Sequence, residues 1–97
     1  MGNEFDFLSD VTEHTTTRYV TMITPKLHRF DLAILQTEHF YGKKIIIDLQ
    51  SGISAVIGLD DLEEEGFLQR RFRLNDEQAE ELLAFLHTVI DPIEYPE

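Results

Sequence analysis

The feature that most constrains the fold is an apolar stripe near the end of the chain, along a helix that begins after Asn75. Asn75 suits the N-cap of this helix, and Gln78 occupies the capping-box position. Asp76 and Glu77 then meet the positive end of the helix dipole. With about 100° of rotation per residue, seven apolar side chains share an arc of about 160°. They are Ala79, Leu82, Leu83, Phe85, Leu86, Val89 and Ile90. A stripe this wide needs a second apolar layer to cover it.

Alternating segments in the first half of the chain supply that layer. Residues 15–24 are rich in β-branched and aromatic side chains and stop at Pro25, which predicts a strand followed by a turn. In the segment RFDLAILQT, residues 29–37, a period of two brings Phe30, Leu32 and Ile34 to one face. We therefore expect a second strand with one strongly apolar side.

Residues 43–58 predict a β-hairpin. Gly52 lies in a short loop between two alternating segments, where glycine can adopt a positive φ. In the first segment, KKIIIDL, the alternation repeats with Ile45, Ile47 and Leu49 on one face and Ile46 on the other. The returning segment carries Ile53, Ala55 and Ile57 on one side.

The stretch GLDDLEEEGFLQRRFRL, residues 58–74, has five acids followed by three arginines. The acids and the closing Gly66 predict a helix of one or two turns. After Gly66 the chain alternates, with Leu68, Phe72 and Leu74 inward, which predicts a short strand or an extended linker. We expect the acids to face solvent and some of them to pair with the arginines, each pair contributing ~0–1 kcal/mol.

Together these segments predict an α+β fold: an antiparallel β-meander of four to five strands, a C-terminal amphipathic helix packed on one face, and a short acidic helix. A chain of 97 residues has the length of one domain, which we assign to residues 15–90. Residues 1–14 carry four acids and no base, and we expect an acidic arm that is either flexible or packed as an extra edge strand. Residues 91–97 are expected to form a loose tail.

Charge and residue types exclude several classes of function. The formal net charge of −11 repels phosphate backbones and anionic lipid surfaces, so we expect neither a nucleic-acid nor a membrane partner. The chain has no cysteine and no signal-like N-terminus, which favours a cytoplasmic location. Nucleophile motifs and glycine-rich phosphate loops are missing from the sequence. We therefore predict no enzyme, no catalytic residue and no cofactor.

The remaining hypothesis is a non-catalytic accessory or regulatory protein that acts through protein–protein interaction. The acidity favours a basic partner, and a second copy of the chain, joined through a sheet edge or a spare apolar surface, is a further candidate. Aromatic and basic side chains near residue 42 and in the arginine run are the candidate interaction residues. They are Phe40, Tyr41, Lys43, Lys44, Arg71 and Arg73.

The alternative hypothesis is a small-ligand or divalent-metal-binding protein that uses clustered carboxylates and a histidine drawn together by the fold. The four histidines, at positions 14, 28, 39 and 87, show none of the short spacings typical of zinc sites. No metal-ligating residue is therefore assigned from the sequence.

Five phrases, taken in order, resemble a family of small acidic proteins from Firmicutes that carries only a domain-of-unknown-function label. They are EFDFL, RFDLAI, FYGKKIIIDLQSG, IGLDDLEEEGFL and FRLNDEQAEELLAFL. The resemblance covers roughly residues 5–90 and implies a cytosolic bacterial protein. It brings no activity, substrate or catalytic residue.

Overall fold

The computed structural model describes residues 4–90, which form one antiparallel sheet and three helices. The strands are β1 (Thr16–Ile23), β2 (Arg29–Gln36), β3 (Lys44–Asp48) and β4 (Ser54–Ile57). The helices are α1 (Leu59–Leu62), α2 (Phe67–Phe72) and α3 (Asp76–Val89). The strands follow one another across the sheet in the order β1-β2-β3-β4. The predicted α+β meander with a C-terminal helix and a short acidic helix is confirmed, with four strands in the described part of the chain. The tail predicted at 91–97 lies outside the described residues.

The register of the sheet is regular from one strand to the next. Strands β1 and β2 pair one to one over eight residues, from Thr16 opposite Gln36 to Ile23 opposite Arg29. Strands β3 and β4 form the predicted hairpin, and Gly52 in its turn adopts a φ of 80°, which a side chain would strain. The Asp48 carboxylate accepts hydrogen bonds from the Gln50 N–H and the Ser51 hydroxyl, so the turn is fixed by its own side chains.

All three helices lie on one face of the sheet, where a single apolar core forms. The sheet contributes Phe30, Leu32, Ile34, Ile46, Ala55 and Ile57. The helices and the residue after α3 contribute Leu62, Leu68, Phe72, Ala79, Leu82, Leu86, Val89 and Ile90. The helical stripe predicted from the sequence is therefore covered by the meander.

Both ends of α3 are held by side chains. The Asn75 carboxamide accepts from the Gln78 N–H at 2.8 Å, and the Gln78 side chain accepts from the Asn75 N–H at 3.1 Å, which completes the predicted capping box. At the other end the Lys44 ammonium donates to the Val89 carbonyl at 2.7 Å. A cation at this position also interacts favourably with the negative end of the helix dipole.

The prediction of a strand or linker after Gly66 is wrong, because residues 67–72 form the helix α2. Leu68 and Phe72 are buried as expected, since residues four apart share a face in a helix as well as in a strand. Gly66 precedes the helix and Arg73 follows it, and both adopt left-handed backbone conformations. These two reversals confine the helix to six residues.

The structure decides which face of β3 packs in the core, a point that the sequence alternation leaves open. Ile46 is fully buried against the helices, whereas Ile45 and Ile47 point to the opposite side and are only half-buried. Ile46 lies opposite Ile34 on β2 and Ala55 on β4, both of which belong to the core. The core face of β3 is therefore the one that carries Ile46. The sequence alternation could not identify it, because three consecutive isoleucines make both faces apolar.

Candidate functional site

The second face of the sheet is apolar and carries no helix. We call it the open sheet face and define it by Tyr19, Ala33, Leu35, Ile45, Ile47 and Val56, which occupy the positions opposite to the core in the strand register. The Tyr19 side chain is 74% exposed and Val56 is 37% exposed. Leu35, Ile45 and Ile47 are half-buried by their neighbours within the sheet. In the described part of the chain, every helix packs on the other face.

The composition of β3 explains why this face is apolar. A strand with one solvated face alternates apolar and polar residues, whereas a strand covered on both faces is a continuous apolar run. The segment IIID in β3 has the second pattern, although the structure covers only the side of Ile46. Exposed apolar patches of a few hundred Å² on soluble domains often mark interaction sites.

One end of the open sheet face is polar. Asp31 accepts hydrogen bonds from the Thr21 hydroxyl and from Arg29, whose Nε lies 3.2 Å from the carboxylate. The hydrogen bond from Thr21 is the main cause that holds the pKa of Asp31 below its ordinary value, and the hydrogen bond and charge of Arg29 lower it further. Partial burial acts in the opposite direction and does not outweigh them. The carboxylate is therefore ionised at neutral pH, and it makes this end of the open sheet face polar.

Three of the six candidate interaction residues lie in the connection between β2 and β3, and Lys44 is the first residue of β3. Tyr41 is 75% exposed, and Phe40 is 36% exposed and packs edge-on against the His39 ring at 5.3 Å. Lys43 lies 3.5 Å from the Asp61 carboxylate, and Lys44 holds the end of α3. The two rings are thus accessible to a partner, while the two lysines have internal roles.

The arginine run lies at a different part of the surface. Arg71 donates to the Ser54 carbonyl at 2.6 Å, at the beginning of β4, and Arg73 is exposed in the turn after α2. Lys44 pairs with Ile57 of β4. Ser54 lies three residues before Ile57, so the two ends of this strand are about 10 Å apart. The structure therefore brings Phe40, Tyr41 and Lys43 together but does not join them with the arginines.

The acidic stretch behaves partly as the sequence predicts. Glu64 pairs with Arg70 at 3.0 Å, and the same guanidinium donates to the Glu65 carbonyl. Glu63, Glu64 and Glu65 are exposed, so these pairs lie in solvent. They contribute little to stability and supply negative surface charge.

Residues 4–15 form an extended arm before β1. The Glu13 carboxylate accepts hydrogen bonds from the Thr37 hydroxyl at 2.5 Å and the Glu38 N–H at 3.2 Å, which attaches the arm to the segment after β2. The Thr37 bond is the main reason that the pKa of Glu13 lies below its ordinary value. Beyond this attachment the apolar side chains Phe5, Phe7, Leu8 and Val11 are exposed.

A polar cluster connects the β1–β2 turn to α3, and no sequence motif indicated it. Glu81 of α3 accepts from the Thr24 hydroxyl at 2.6 Å, from the Lys26 N–H at 3.1 Å and from Nδ1 of His28 at 2.7 Å. Nε2 of His28 lies 3.4 Å from Glu77, so carboxylates flank both ring nitrogens. The cluster therefore places one histidine beside two carboxylates. Within residues 4–90 no group of three or more such side chains is arranged to hold a metal ion.

The pKa of Glu81 reflects this cluster. Partial burial alone would raise it, but the hydrogen bonds from Thr24, His28 and Lys26, together with the charge of His28, outweigh burial and hold the pKa below its ordinary value. A carboxyl group whose pKa is lowered on folding stabilises the fold above its unfolded-state pKa. That contribution is lost as the pH falls through the folded-state pKa.

We therefore expect Glu81→Gln to lower the melting temperature by several degrees at neutral pH. The difference from the parent chain should narrow as the pH falls below the ordinary carboxyl pKa and through the lowered pKa of Glu81, where the parent carboxylate becomes protonated. Thermal melts across the acid range measure this difference. The control is Glu80→Gln, an exposed position next to Glu81. An equal deficit for Glu81→Gln at every pH would contradict the assigned role of the carboxylate charge.

These features define a small α+β domain whose four-stranded sheet is covered by helices on one face and open on the other. A comparison with models of protein families matches the SAV0927-like model over residues 8–88. The chain belongs to the SAV0927-like family, whose function is unknown, and this confirms the resemblance at the level of a domain-of-unknown-function family. A comparison with curated proteins finds no match. In the part of the chain that the structure describes, no helix combines the length and apolarity that crossing a bilayer requires.

Proposed function

We propose that this chain is a cytoplasmic, non-catalytic accessory or regulatory protein that binds another protein through its open sheet face. The observation that carries the proposal is the second apolar side of β3, where Ile45 and Ile47 face away from the core. Four strands about 4.8 Å apart and about five residues long give a face of roughly 300 Å². This is the size of patch that on soluble monomers is often functional.

Charge determines the kind of partner that suits this face. The net charge of −11 attracts a basic partner over long distances and disfavours an acidic one. The apolar side chains then supply the contact that is desolvated on binding. Phe40 and Tyr41, exposed in the β2–β3 connection, extend the contact at the end of the sheet where β3 begins.

The proposal predicts a specific loss of binding. Immobilised chain is incubated with native cell extract, and the captured protein is quantified for the parent chain and for Ile45→Lys with Ile47→Lys. We expect this double variant to lose capture by about tenfold or more, since desolvating two lysines opposes contact with an apolar partner surface. The control is Leu27→Lys, which introduces one lysine at an exposed apolar position in the β1–β2 turn.

The connection residues are tested in the same assay with Phe40→Ala and Tyr41→Ala combined. We expect weaker capture with a nearly unchanged melting temperature, because neither ring belongs to the core. Unfolding of this double variant would assign the rings to the core and remove them from the surface. Equal capture by the parent chain and by the isoleucine double variant, with both folded by circular dichroism, would refute the role of the open sheet face.

A further inference from the structure

We propose that two copies of the chain associate through their β1 strands, which pair antiparallel about a two-fold axis perpendicular to the sheet. Strand β1 lies at the edge of the sheet and pairs only with β2 within the described residues. Every second residue of such an edge directs its backbone N–H and C=O away from the sheet, where another strand can accept and donate. The partner that this edge fits is a second copy of itself.

Strand β1 lacks most of the usual protection of an edge. It is eight residues long, and its one-to-one register with β2 shows no bulge. The sequence TTRYVTMI contains no proline and no lysine. Edges that remain unpaired in soluble proteins are commonly short, bulged, or guarded by proline or lysine. The regular β1 edge is the kind that accepts a further strand.

The opposite edge of the sheet contrasts with β1. Strand β4 has four residues, and the Arg71 guanidinium already donates to the Ser54 carbonyl at 2.6 Å. Helix α1 begins two residues after Ile57, so the chain turns away from the sheet at once. The β4 edge is thus short and partly occupied, whereas the β1 edge is long and regular. Strand β1 is therefore the edge that we expect to pair.

Charge also favours β1 as the surface where two acidic chains can meet. Two copies with a net charge of −11 each repel one another, and β1 contains no acid and one base, Arg18. The Arg18 guanidinium lies over the Phe85 ring at 5.9 Å, on the helix side of the sheet. The acidic arm is attached through Glu13 to Thr37 and Glu38, which follow β2. The attachment therefore lies on the β2 side of β1 and not at the outer edge of β1.

Symmetry determines the result of this pairing. In an antiparallel pair, residues directly opposite each other share a face, and a two-fold axis perpendicular to the sheet keeps the helices of both copies on one side. Two four-stranded sheets then form one sheet of eight strands. The two open sheet faces become continuous, with Tyr19 of each copy near the axis. The use of the joined open sheet faces for binding rests on the proposed function. The pairing of the two chains rests only on the length, regularity and charge of β1.

The test uses the absence of cysteine from the chain. Single substitutions Arg18→Cys, Tyr19→Cys, Val20→Cys and Thr21→Cys are oxidised under mild conditions, and the rate of intermolecular disulfide formation is measured. Cα atoms of paired antiparallel residues lie ~4.5–5.5 Å apart, within the reach of a disulfide. We expect one β1 position to cross-link about tenfold faster than Ile47→Cys and Val56→Cys, which lie on the open sheet face.

Sedimentation equilibrium provides the second measurement. The parent chain is expected at twice the 11.3 kDa chain mass. Tyr19→Lys should be a folded monomer, because a lysine on β1 opposes pairing. Tyr41→Lys is the matched control, since the two tyrosines are equally exposed at 74% and 75%, and it should remain a dimer.

Two results would overturn the inference. A parent chain that is monomeric at every concentration would exclude β1 pairing and leave the open sheet face available to a different protein. A dimer that cross-links fastest at Ile47→Cys would show face-to-face packing of two sheets instead. Neither result decides whether the face captures a partner, so failure of the inference is separable from failure of the proposed function.

Discussion

Replacing Ile46 by alanine is expected to lower the free energy of unfolding by ~2–5 kcal/mol. Ile46 is fully buried, and it lies between Ile34 and Ala55 in the middle of the sheet, below the helices. Removing the outer carbons of Ile46 reduces the apolar area that folding buries and leaves a cavity. Strand β3 cannot move to fill this cavity, because it is paired with β2 on one side and β4 on the other. Small domains have a total stability of about 5–15 kcal/mol, so this single substitution removes a large fraction of it.

Urea denaturation measures this loss, and the adjacent isoleucines are its controls. Ile45→Ala and Ile47→Ala remove the same atoms from the same strand, but both side chains are half-buried on the open sheet face. We expect each to cost about 1 kcal/mol. The order of the three variants therefore tests which side of β3 faces the core. A larger loss at Ile45 or Ile47 than at Ile46 would reverse the assignment of the two faces.

Replacing Phe72 by alanine is expected to cost ~3–5 kcal/mol. Phe72 is the last residue of α2 and is 3% exposed, within the core cluster that joins the sheet to α3. A six-residue helix has little stability of its own, so its position depends on the two side chains that it buries, Leu68 and Phe72. Loss of the ring should therefore release α2 as well as create a cavity.

Phe67→Ala at the beginning of the same helix is the matched control. Phe67 is half-buried and lines a surface depression with Glu64, Arg70 and Arg71, so its truncation leaves less unfilled volume. Urea denaturation gives the two losses, and hydrogen exchange of the α2 amides reports whether the helix opens. Equal losses for the two phenylalanines would mean that α2 packs through its first turn, contrary to the burial in the structure.

The best-predicted parts of the molecule are those that short-range patterns specify. The apolar stripe of α3, its Asn75 and Gln78 capping box and the β3–β4 hairpin each follow from residues within a few positions of one another. For the segment after Gly66 the sequence pattern predicts the wrong secondary structure but the right buried residues. Leu68 and Phe72 are four apart, a spacing that satisfies a period of two and a period of 3.6 alike.

The candidate site could be predicted only in part, for two physical reasons. Three consecutive isoleucines in β3 give both faces the same apolarity, so alternation cannot say which face the helices cover. The cluster around Glu81 joins residues more than fifty positions apart, Thr24 and His28 on one side and Glu81 on the other. Local sequence carries no signal for such a contact. Phe40 and Tyr41 are exposed, and their part in binding a partner stays a prediction.

The hydrogen bond from Arg71 to the Ser54 carbonyl limits how far strand addition can proceed. A sheet with two receptive edges can recruit copies indefinitely and grow into a fibre, because each addition presents a fresh edge. Here the β4 edge is short and its first carbonyl is occupied, so joining two chains at β1 leaves a blocked edge at each end. If two copies pair through β1 as proposed, the Arg71 hydrogen bond ends strand addition at β4, and the assembly stops at two chains instead of growing into a fibre.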